Sequence, residues 1–315
     1  MNDLNAFTGL VRRCVEDYDM IAPGDTVAVG VSGGKDSLVL LLALNELRRY
    51  YPKPFSLEAI TVELGFEGMD FAPVAELCAS LGVPYTRLKT DIKEVVFDVR
   101  KEDNPCSLCA KMRRGALCTA LSERGITKLA LGHHFDDAVE TFLLSLVYEG
   151  RISCFQPVTH MTRTGVDQIR PMLYAGEGRI ANLAKALALP VVENPCPEDR
   201  GSKRHEVKEL IRTMSLTYPD LRSKVFGAIQ RAPLDGWERH GKLARVKQDK
   251  PGGDSPPGLC VEMKSQRTFW QKRMTIAAVC ARVASPFGSR VVTPLALPTP
   301  QITPCATAQN IGVRA

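Results

Sequence analysis

The segment from Val27 to Ser37 constrains the fold of this chain more than any other part of the sequence. It begins with valines that alternate with small residues, passes through Gly33-Gly34 and continues into a leucine-rich stretch. This order predicts a short buried strand, a tight turn and a helix. Glycines at the turn allow a ligand to approach the backbone, and the helix start offers unpaired N–H groups to an anion. The segment therefore predicts a site for a nucleotide phosphate.

An ordinary strand-to-helix turn is the simpler interpretation, but it needs only one glycine and a cap such as Ser37. The spacing is too short for a Walker A loop. The sequence Ser-Gly-Gly-Lys-Asp-Ser at 32–37 resembles the PP-loop of the ATP pyrophosphatases, which cleave ATP between its α and β phosphates and adenylate a substrate. The resemblance assigns ATP binding to Ser32, Gly33, Gly34, Lys35, Asp36 and Ser37, and it also assigns a catalytic role to Asp36.

Predicted strands and helices alternate along most of the chain. Strands are expected at 27–31, 56–62, 84–88, 128–131 and 190–192. Helices are expected at 3–19, after Ser37 to about 51, and at 72–81, 108–124, 136–148, 177–188, 203–215 and 219–230. The alternation predicts an α/β fold, a doubly wound and mostly parallel Rossmann-like sheet that binds ligands beyond the carboxyl ends of its strands.

Composition divides the chain into four parts. We expect an N-terminal helix at 1–20, a PP-loop ATPase domain at 21–195, a helical part of the same catalytic unit at 196–245, and a disordered, proline-rich basic tail at 246–315. Nine lysines and arginines against three acidic residues in that tail account for the net charge of +6. A nucleic-acid site must therefore rest on local basic clusters. The sequence has no apolar run of membrane-spanning length, which predicts a cytoplasmic protein without membrane contact.

A second turn whose side chains could bind a metal follows the strand predicted at 128–131. Its sequence is Gly132-His133-His134-Phe135-Asp136-Asp137. Carboxylates at this place can hold Mg²⁺ against ATP phosphates, because Mg²⁺ prefers a few carboxylate oxygens together with phosphate and water. The alternative is that Asp136 or Asp137 only caps the following helix. Capping explains one aspartate and leaves the two histidines unexplained, so we favour a Mg²⁺ site.

Cys106 and Cys109 form a Cys-x-x-Cys pair at the start of a predicted helix. A helix N-terminus and nearby cations lower thiol pKa values, and thiolates are both metal ligands and nucleophiles. The pair has three interpretations: half of a zinc site, a redox dithiol, or iron–sulfur ligands. Cys196 is the next plausible partner, and His205 would complete a zinc site. The remaining cysteines are assigned to packing or to the tail: Cys14, Cys78, Cys118, Cys154, Cys260, Cys280 and Cys305.

Taken together, the motifs resemble one family, the tRNA 2-thiocytidine synthetase (TtcA) group of PP-loop proteins, in its shorter branch. The resemblance covers about residues 5 to 230. It rests on the motifs at 32–37, 105–109 with Arg113-Arg114-Gly115, 131–137 with Glu140-Thr141, 169–171, and Cys196. The Cys-Ser-Leu-Cys element followed by Arg-Arg-Gly is the specific part, since lysidine synthetases lack it.

The resemblance implies an ATP- and Mg²⁺-dependent enzyme with an iron–sulfur cluster of the [4Fe-4S] type. It would replace by sulfur the C2 oxygen of an anticodon-loop cytidine at position 32 of tRNA. Carried onto this chain, the cluster ligands and catalytic cysteines are Cys106, Cys109 and Cys196. Gly132 and His133 join the ATP site, and Asp136 and Asp137 lie near Mg²⁺. A cysteine desulfurase is the expected sulfur donor, and a homodimer is a candidate assembly.

Two other functions stay open at this point. One is a lysidine-synthetase-like ligase or amidating enzyme with a structural zinc site, and the other is a nucleotide-binding redox sensor. For RNA contact we expect Arg113, Arg114, Lys203 and Arg204, whose clusters can follow a phosphate backbone. Arg222 and Lys224 are interpreted instead as part of a solvated helix face.

Overall fold

A six-stranded sheet in the order β3-β2-β1-β4-β6-β5 forms the centre of the structure, which is a computed structural model. The model describes residues 2–101, 105–193, 195–196 and 203–240, all within one structural unit. The strands are β1 Thr26–Gly30, β2 Ser56–Glu63, β3 Tyr85–Lys89, β4 Lys128–Ala130, β5 Val158–Met161 and β6 Val166–Ile169. All pairs are parallel except β5 with β6. The predicted α/β class is confirmed.

The helices α1 to α8 are Asn2–Asp17, Lys35–Leu47, Ala72–Ser80, Pro105–Glu123, Phe135–Tyr148, Glu177–Ala186, Lys203–Thr217 and Leu221–Arg231. A π-helix, Glu94–Arg100, precedes α4. All eight α-helices were expected, with ends shifted by a few residues, as is usual for helix boundaries. None of the helices in the described part of the chain is long and apolar enough to cross a membrane.

Two expectations about strands differ from the structure. The strand predicted at 190–192 is wrong, because this segment has no strand pairing and Val192 N–H instead donates to the Gly33 carbonyl at 3.0 Å. Neither strand of the hairpin formed by β5 and β6 was predicted from the sequence. Its strands have four residues each, and β6 is largely buried. Strands this short carry too few residues to show a clear alternating pattern.

The core lies on both faces of the sheet. Alternating residues of β1 point to opposite faces, so Val27 and Val29 join one buried cluster and Ala28 joins the other. Leu38, Leu41 and Leu44 of α2 are fully buried in the first cluster. This packing fixes the start of α2 at the carboxyl end of β1. The turn predicted to bind phosphate, residues 32–37, lies there and is called the phosphate turn below.

The segment after α8 returns to the N-terminal helix. Trp237 is 1 % exposed, and its ring makes edge contacts with Tyr18 and Phe226. Its indole N–H donates to the Phe155 carbonyl at 3.0 Å, and His240 N–H donates to the Asp17 carbonyl at 2.7 Å. These contacts support a helical part within one catalytic unit, while the predicted boundary at 195 stays a prediction. The predicted tail, 246–315, lies outside the described residues.

We expect Trp237→Ala to lower the free energy of unfolding by about 3–5 kcal/mol, because it opens a large cavity and leaves the Phe155 carbonyl without its donor. Urea unfolding checks this. Leu216→Ala is the control, since Leu216 is 77 % exposed and its truncation should change stability by less than about 0.5 kcal/mol. A separate transition for the 221–240 segment would contradict its place in the core.

Candidate active site

The phosphate turn requires glycine at position 33. Gly33 has φ +85°, which favours glycine, and an added Cβ would stand 2.8 Å from Cβ of Val192. The turn is braced by Ser37, whose Oγ donates to the Gly34 carbonyl at 2.8 Å and accepts from Ser32 N–H at 3.1 Å. Gly34 is the N-cap of α2 and makes no side-chain cap hydrogen bond. The backbone N–H groups of the first turn therefore face a place suited to an anion.

The turn after β4 packs directly on the start of α2. A Cβ at Gly132 would lie 3.2 Å from the backbone of both Asp36 and Ser37. This close approach explains a glycine at the carboxyl end of β4. It also places the Gly132 backbone beside the phosphate turn, as expected for a residue of the ATP site.

Lys35 and Asp36 form a charged group with residues of two later helices. Lys35 Nζ lies 3.1 Å from Asp36 Oδ1 and 3.3 Å from Glu177 Oε1, and Lys208 donates to the other Glu177 oxygen at 2.8 Å. Burial alone would lower the pKa of Lys35, but the Asp36 and Glu177 carboxylates raise it. Lys35 therefore stays protonated next to the phosphate turn, where it can bind an anionic phosphate.

Asp136 and Asp137 both hold helices in place. Asp136 accepts a hydrogen bond from Glu177 N–H at 2.7 Å, at the first turn of α6, and its other oxygen pairs with Arg222. Asp137 accepts from His134 N–H at 3.0 Å in the capping box of α5. Its second oxygen accepts from Arg204 at 3.0 Å. Capping thus explains more of this motif than the sequence indicated.

The histidine at the start of α5 lies among three carboxylates. The His134 ring is within 3.9 Å of Asp36 Oδ1 and of Asp136 Oδ2, and within 3.5 Å of Asp137 Oδ2. Asp36 Oδ1 is buried and accepts no hydrogen bond from the described residues. Carboxylate oxygens next to a phosphate site fit Mg²⁺, which takes one or two carboxylates and completes its shell with phosphate and water. Of the three, Asp36 pairs with Lys35, whose Nζ lies 3.1 Å from Oδ1, whereas Asp136 and Asp137 pair with the arginines Arg222 and Arg204.

His133, in contrast to His134, forms no ion pair with these carboxylates in the described part of the chain. Burial and the nearby Arg170 lower its pKa to about 3, so the ring is neutral at physiological pH. The ring packs against Phe155 with centroids 5.1 Å apart. Its Nδ1 is buried and has no hydrogen-bond partner among the described residues. His133 therefore follows the glycine that packs on the phosphate turn and has a ring nitrogen without a hydrogen-bond partner in the described chain.

The cysteine pair lies on the first turn of α4, as expected. Cys106 is exposed, while Cys109 and Cys196 are partly buried. Burial raises the pKa of Cys109; Arg113 opposes this effect and the charge of Cys196 adds to it. Because the charge of Cys196 acts on the Cys109 thiol, the two residues are near each other in space, although 87 residues separate them in sequence.

No group of three metal-ligating side chains converges on a single point anywhere in the described residues, including around His205. In a cubane iron–sulfur cluster each cysteine binds a different iron, so its ligands stand farther apart than those of one zinc ion. Two cysteines on one helical turn, with a third brought near them, fit such a cluster.

The four predicted RNA-binding residues have different surroundings. Arg113 and Arg114 are exposed on α4, next to the cysteine turn. Lys203 lies over the Tyr148 ring at 5.2 Å. Arg204 pairs with Asp137 and also donates to Thr141 at 3.1 Å. Arg204 is therefore part of the carboxylate group, whereas Arg113 and Arg114 are exposed and form no ion pair with a described residue.

Comparison with known proteins now identifies the family. The model of the PP-loop domain matches residues 9–214. A tRNA-cytidine(32) 2-sulfurtransferase from Pelobacter propionicus is 37% identical over 73% of this chain and 87% of its own length. One from Alkalilimnicola ehrlichii is 37% identical over 79% of this chain and 81% of its own. The chain belongs to the tRNA-cytidine(32) 2-sulfurtransferase family of PP-loop proteins.

A solved structure agrees with this family assignment. The chain is similar to the U34-tRNA thiolase NcsA from Methanococcus maripaludis with its [4Fe-4S] cluster. The TM-score is 0.61 and the identity 27%, over 73% of this chain and 78% of that chain. The resemblance to the 2-thiocytidine synthetase family stated from the motifs is thereby confirmed.

No role was assigned to Glu177 from the sequence, and neither Lys208 nor Arg222 was placed among these carboxylates. Glu177 joins Lys35 to Lys208, and Arg222 pairs with the buried Asp136. The interpretation of Arg222 as a solvated residue is wrong, whereas Lys224 pairs with the exposed Asp220 as expected for a helix surface. No local motif marks these positions, because α6, α7 and α8 reach the site only through tertiary packing.

We expect Arg222→Met to destabilise the protein by about 3 kcal/mol, because it leaves the Asp136 carboxylate buried without its cation. Lys224→Met is a matched control on the same helix. It breaks an exposed i,i+4 pair and should cost less than about 0.5 kcal/mol. Urea midpoints measure both. Equal effects of the two variants would show that the Asp136–Arg222 pair does not stabilise the site.

Proposed function

We propose that this chain is an ATP-dependent tRNA sulfurtransferase that replaces the C2 oxygen of cytidine 32 by sulfur. The observation that carries the proposal is that Val192, four residues before Cys196, contacts the phosphate turn. Val192 packs on Gly33 of the phosphate turn, and its N–H donates to the Gly33 carbonyl. Cys196 comes four residues later, and its charge raises the pKa of the Cys109 thiol. One short segment thus connects the phosphate turn to the cysteine pair.

Chain length limits how far apart the two groups can be. Four residues span at most about 14 Å even when fully extended. Cys196 therefore lies within that reach of Val192, which itself contacts the phosphate turn. A nucleobase activated at the turn would not have to travel far to meet sulfur held at the cysteines.

ATP is proposed to bind with its phosphates at the N-terminus of α2. The N–H groups of the turn, the helix dipole and the Lys35 ammonium together favour the anion. Ser32 and Ser37 keep the turn in shape, and Gly132 lets the next turn approach it. His133 completes the ATP site in this proposal. Asp36, Asp136 and Asp137 supply carboxylates for Mg²⁺; Asp136 and Asp137 would have to share their oxygens with Arg222 and Arg204.

The cysteines Cys106, Cys109 and Cys196 are the proposed ligands of a [4Fe-4S] cluster. Three cysteine ligands leave one iron open, and the bound cluster would supply the site at which sulfur is held for transfer. The chain itself positions the ligands. Cys106 and Cys109 lie on the first turn of α4, and Cys196 comes four residues after Val192, which contacts Gly33.

The residues of the phosphate turn would activate the base. The C2 oxygen of cytosine attacks the α-phosphate, and pyrophosphate leaves. The Lys35 ammonium and the backbone N–H groups stabilise the charge that develops on pyrophosphate. Adenylation turns the oxygen into part of a good leaving group, so a sulfide nucleophile can form the C–S bond at C2 while the C–O bond to AMP breaks.

The remaining partners are also proposals. The basic residues Arg113, Arg114, Lys203 and Arg204 are the proposed RNA contacts, with Arg113 and Arg114 the better placed. A cysteine desulfurase is the proposed sulfur donor. We further propose a homodimer and a cytoplasmic location, which gel filtration and cell fractionation would test.

We expect Cys109→Ala and Cys196→Ala to lose the cluster, because a cluster with two remaining cysteine ligands is poorly held. After anaerobic purification, the absorbance of the cluster and the iron content should fall by more than tenfold, and 2-thiocytidine should disappear from tRNA. Mass spectrometry of tRNA nucleosides from a deletion strain carrying each variant measures the second effect.

Cys78→Ala is the matched control for these cysteine variants. Cys78 is fully buried in the core on α3, so its loss should leave the iron content unchanged. A wild-type protein that contains zinc and no iron would favour the lysidine-synthetase-like ligase with a structural zinc site. A protein with a cluster but no effect on tRNA nucleosides would favour the redox sensor.

Asp36→Asn should reduce ATP-dependent pyrophosphate release at least about 100-fold, since it removes the carboxylate best placed for Mg²⁺. The effect should be partly reversed by a higher Mg²⁺ concentration if the carboxylate acts through the metal. Glu46→Gln at the far end of α2 is the control, because Glu46 pairs with Arg49 on the surface. Normal turnover by Asp36→Asn would argue against a catalytic role for this residue.

A further inference from the structure

A cavity of about 590 Å³ lies beside the candidate active site and has no assigned role. Its lining comes from five parts of the chain: α4, the loop before β5, β5 itself, β6 with the residue that follows it, and the segment after α8. The residues that matter here are Arg114, Cys154, Phe155, Gln168, Arg170 and Asp235. Its volume is in the range of pockets that hold small organic ligands.

Arg170 is a buried cation without a counter-ion in this cavity. It is 5 % exposed and forms no ion pair with any described residue. One guanidinium nitrogen donates to the Gln156 carbonyl at 2.5 Å and to Thr159 Oγ1 at 2.9 Å. Its Nε is buried and has no hydrogen-bond partner in the described chain. Burial of an unpaired charge is costly, and an unused donor adds to that cost.

A second arginine increases the positive potential. Burial and the charge of Arg114 lower the pKa of Arg170 to about 10, which still leaves it protonated at neutral pH. The described lining includes one carboxylate, Asp235, and its Oδ2 accepts a hydrogen bond from the Gln156 amide at 2.5 Å. Two guanidinium groups that repel each other and lack an acidic partner are stabilised by an anion between them.

The cavity borders both halves of the proposed machinery. The Arg170 guanidinium lies 5.0 Å from the centre of the Phe155 ring, and the His133 ring packs on the same phenyl group. His133 directly follows Gly132, which contacts the phosphate turn. Arg114 lies on α4, the helix that carries Cys106 and Cys109. A ligand in the cavity is therefore near the place where activation and sulfur transfer are proposed.

We propose that this cavity holds the nucleotide unit of the RNA that carries the reacting base, with a backbone phosphate next to that base bound by Arg170 and Arg114. This inference rests on the proposed function. The volume exceeds that of a phosphate and suits a nucleotide, and the Arg170 guanidinium, which has no ion-pair partner among the described residues, supplies the anchor for the anion. Pyrophosphate released from ATP is the other source of such an anion.

The test uses the full-length protein and an RNA hairpin with the sequence of the anticodon arm. Arg114→Met should weaken hairpin binding about tenfold and lower the slope of log K against log salt by about one, as expected for one lost phosphate contact. Arg49→Met is the control, because Arg49 follows the far end of α2 and its side chain is 71% exposed. It should change neither quantity.

A second arm identifies the phosphate. Hairpins with a neutral methylphosphonate at either linkage next to the target cytidine should bind more weakly to the wild type. With Arg114→Met, one of these linkages should cause no further loss, because the variant and the neutral linkage remove the same contact. Additive losses at both linkages would overturn the proposal.

Arg170→Lys keeps a cation but removes the forked donor, and it should also weaken hairpin binding. Its fold is checked by urea unfolding, and if Arg170→Lys does not fold, the Arg114→Met measurements alone test the proposal.

Loss of pyrophosphate binding in Arg114→Met, with unchanged hairpin binding, would assign the cavity to the product of ATP cleavage and overturn the proposal. Thiolation by the wild type together with an unaffected hairpin affinity in Arg114→Met would refute the cavity assignment alone. A wild type that neither binds nor thiolates the hairpin would refute the proposed function as well.

Discussion

The contact between Gly33 and Val192 is the constraint on which the site depends. Gly33 has a positive φ and no room for a Cβ, because Val192 occupies the space where that atom would be. The same contact fixes two things at once: the shape of the phosphate turn and the start of the segment that leads to Cys196. A larger residue at position 33 would separate the turn from this segment and so from the cysteine pair.

A network of ion pairs surrounds that contact and connects helices far apart in sequence. Glu177 lies between Lys35 and Lys208, Asp137 pairs with Arg204, and Asp136 pairs with Arg222. Each carboxylate comes from the start of α5 or α6, and the cations after Lys35 come from α7 or α8. The last two helices therefore take part in the site itself. Binding of Mg²⁺ and ATP would have to compete with, or rearrange, some of these pairs.

Positive charge is arranged differently in the two halves of the site. Near the phosphate turn, every cation in the network just described has a carboxylate partner. These charges therefore do not destabilise the fold of the protein when ATP is not bound. In the cavity beside it, Arg170 is buried and has no carboxylate partner among the described residues. Buried charge of this kind is a cost to folding that natural proteins tend to keep at functional sites. This contrast is the physical reason for proposing that the cavity binds a nucleotide of the RNA.

The sequence by itself determined the α/β class, the phosphate turn, the Cys-x-x-Cys helix start and the family, because these depend on local patterns of glycines, valines, leucines and cysteines. It did not predict the β5–β6 hairpin, and it wrongly predicted a strand at 190–192, where the chain instead packs on Gly33. It also treated Arg222 as a surface residue and gave no role to Glu177 or Arg170. Only the tertiary structure decided these points, since a partner that comes from a distant helix leaves no local pattern in the sequence.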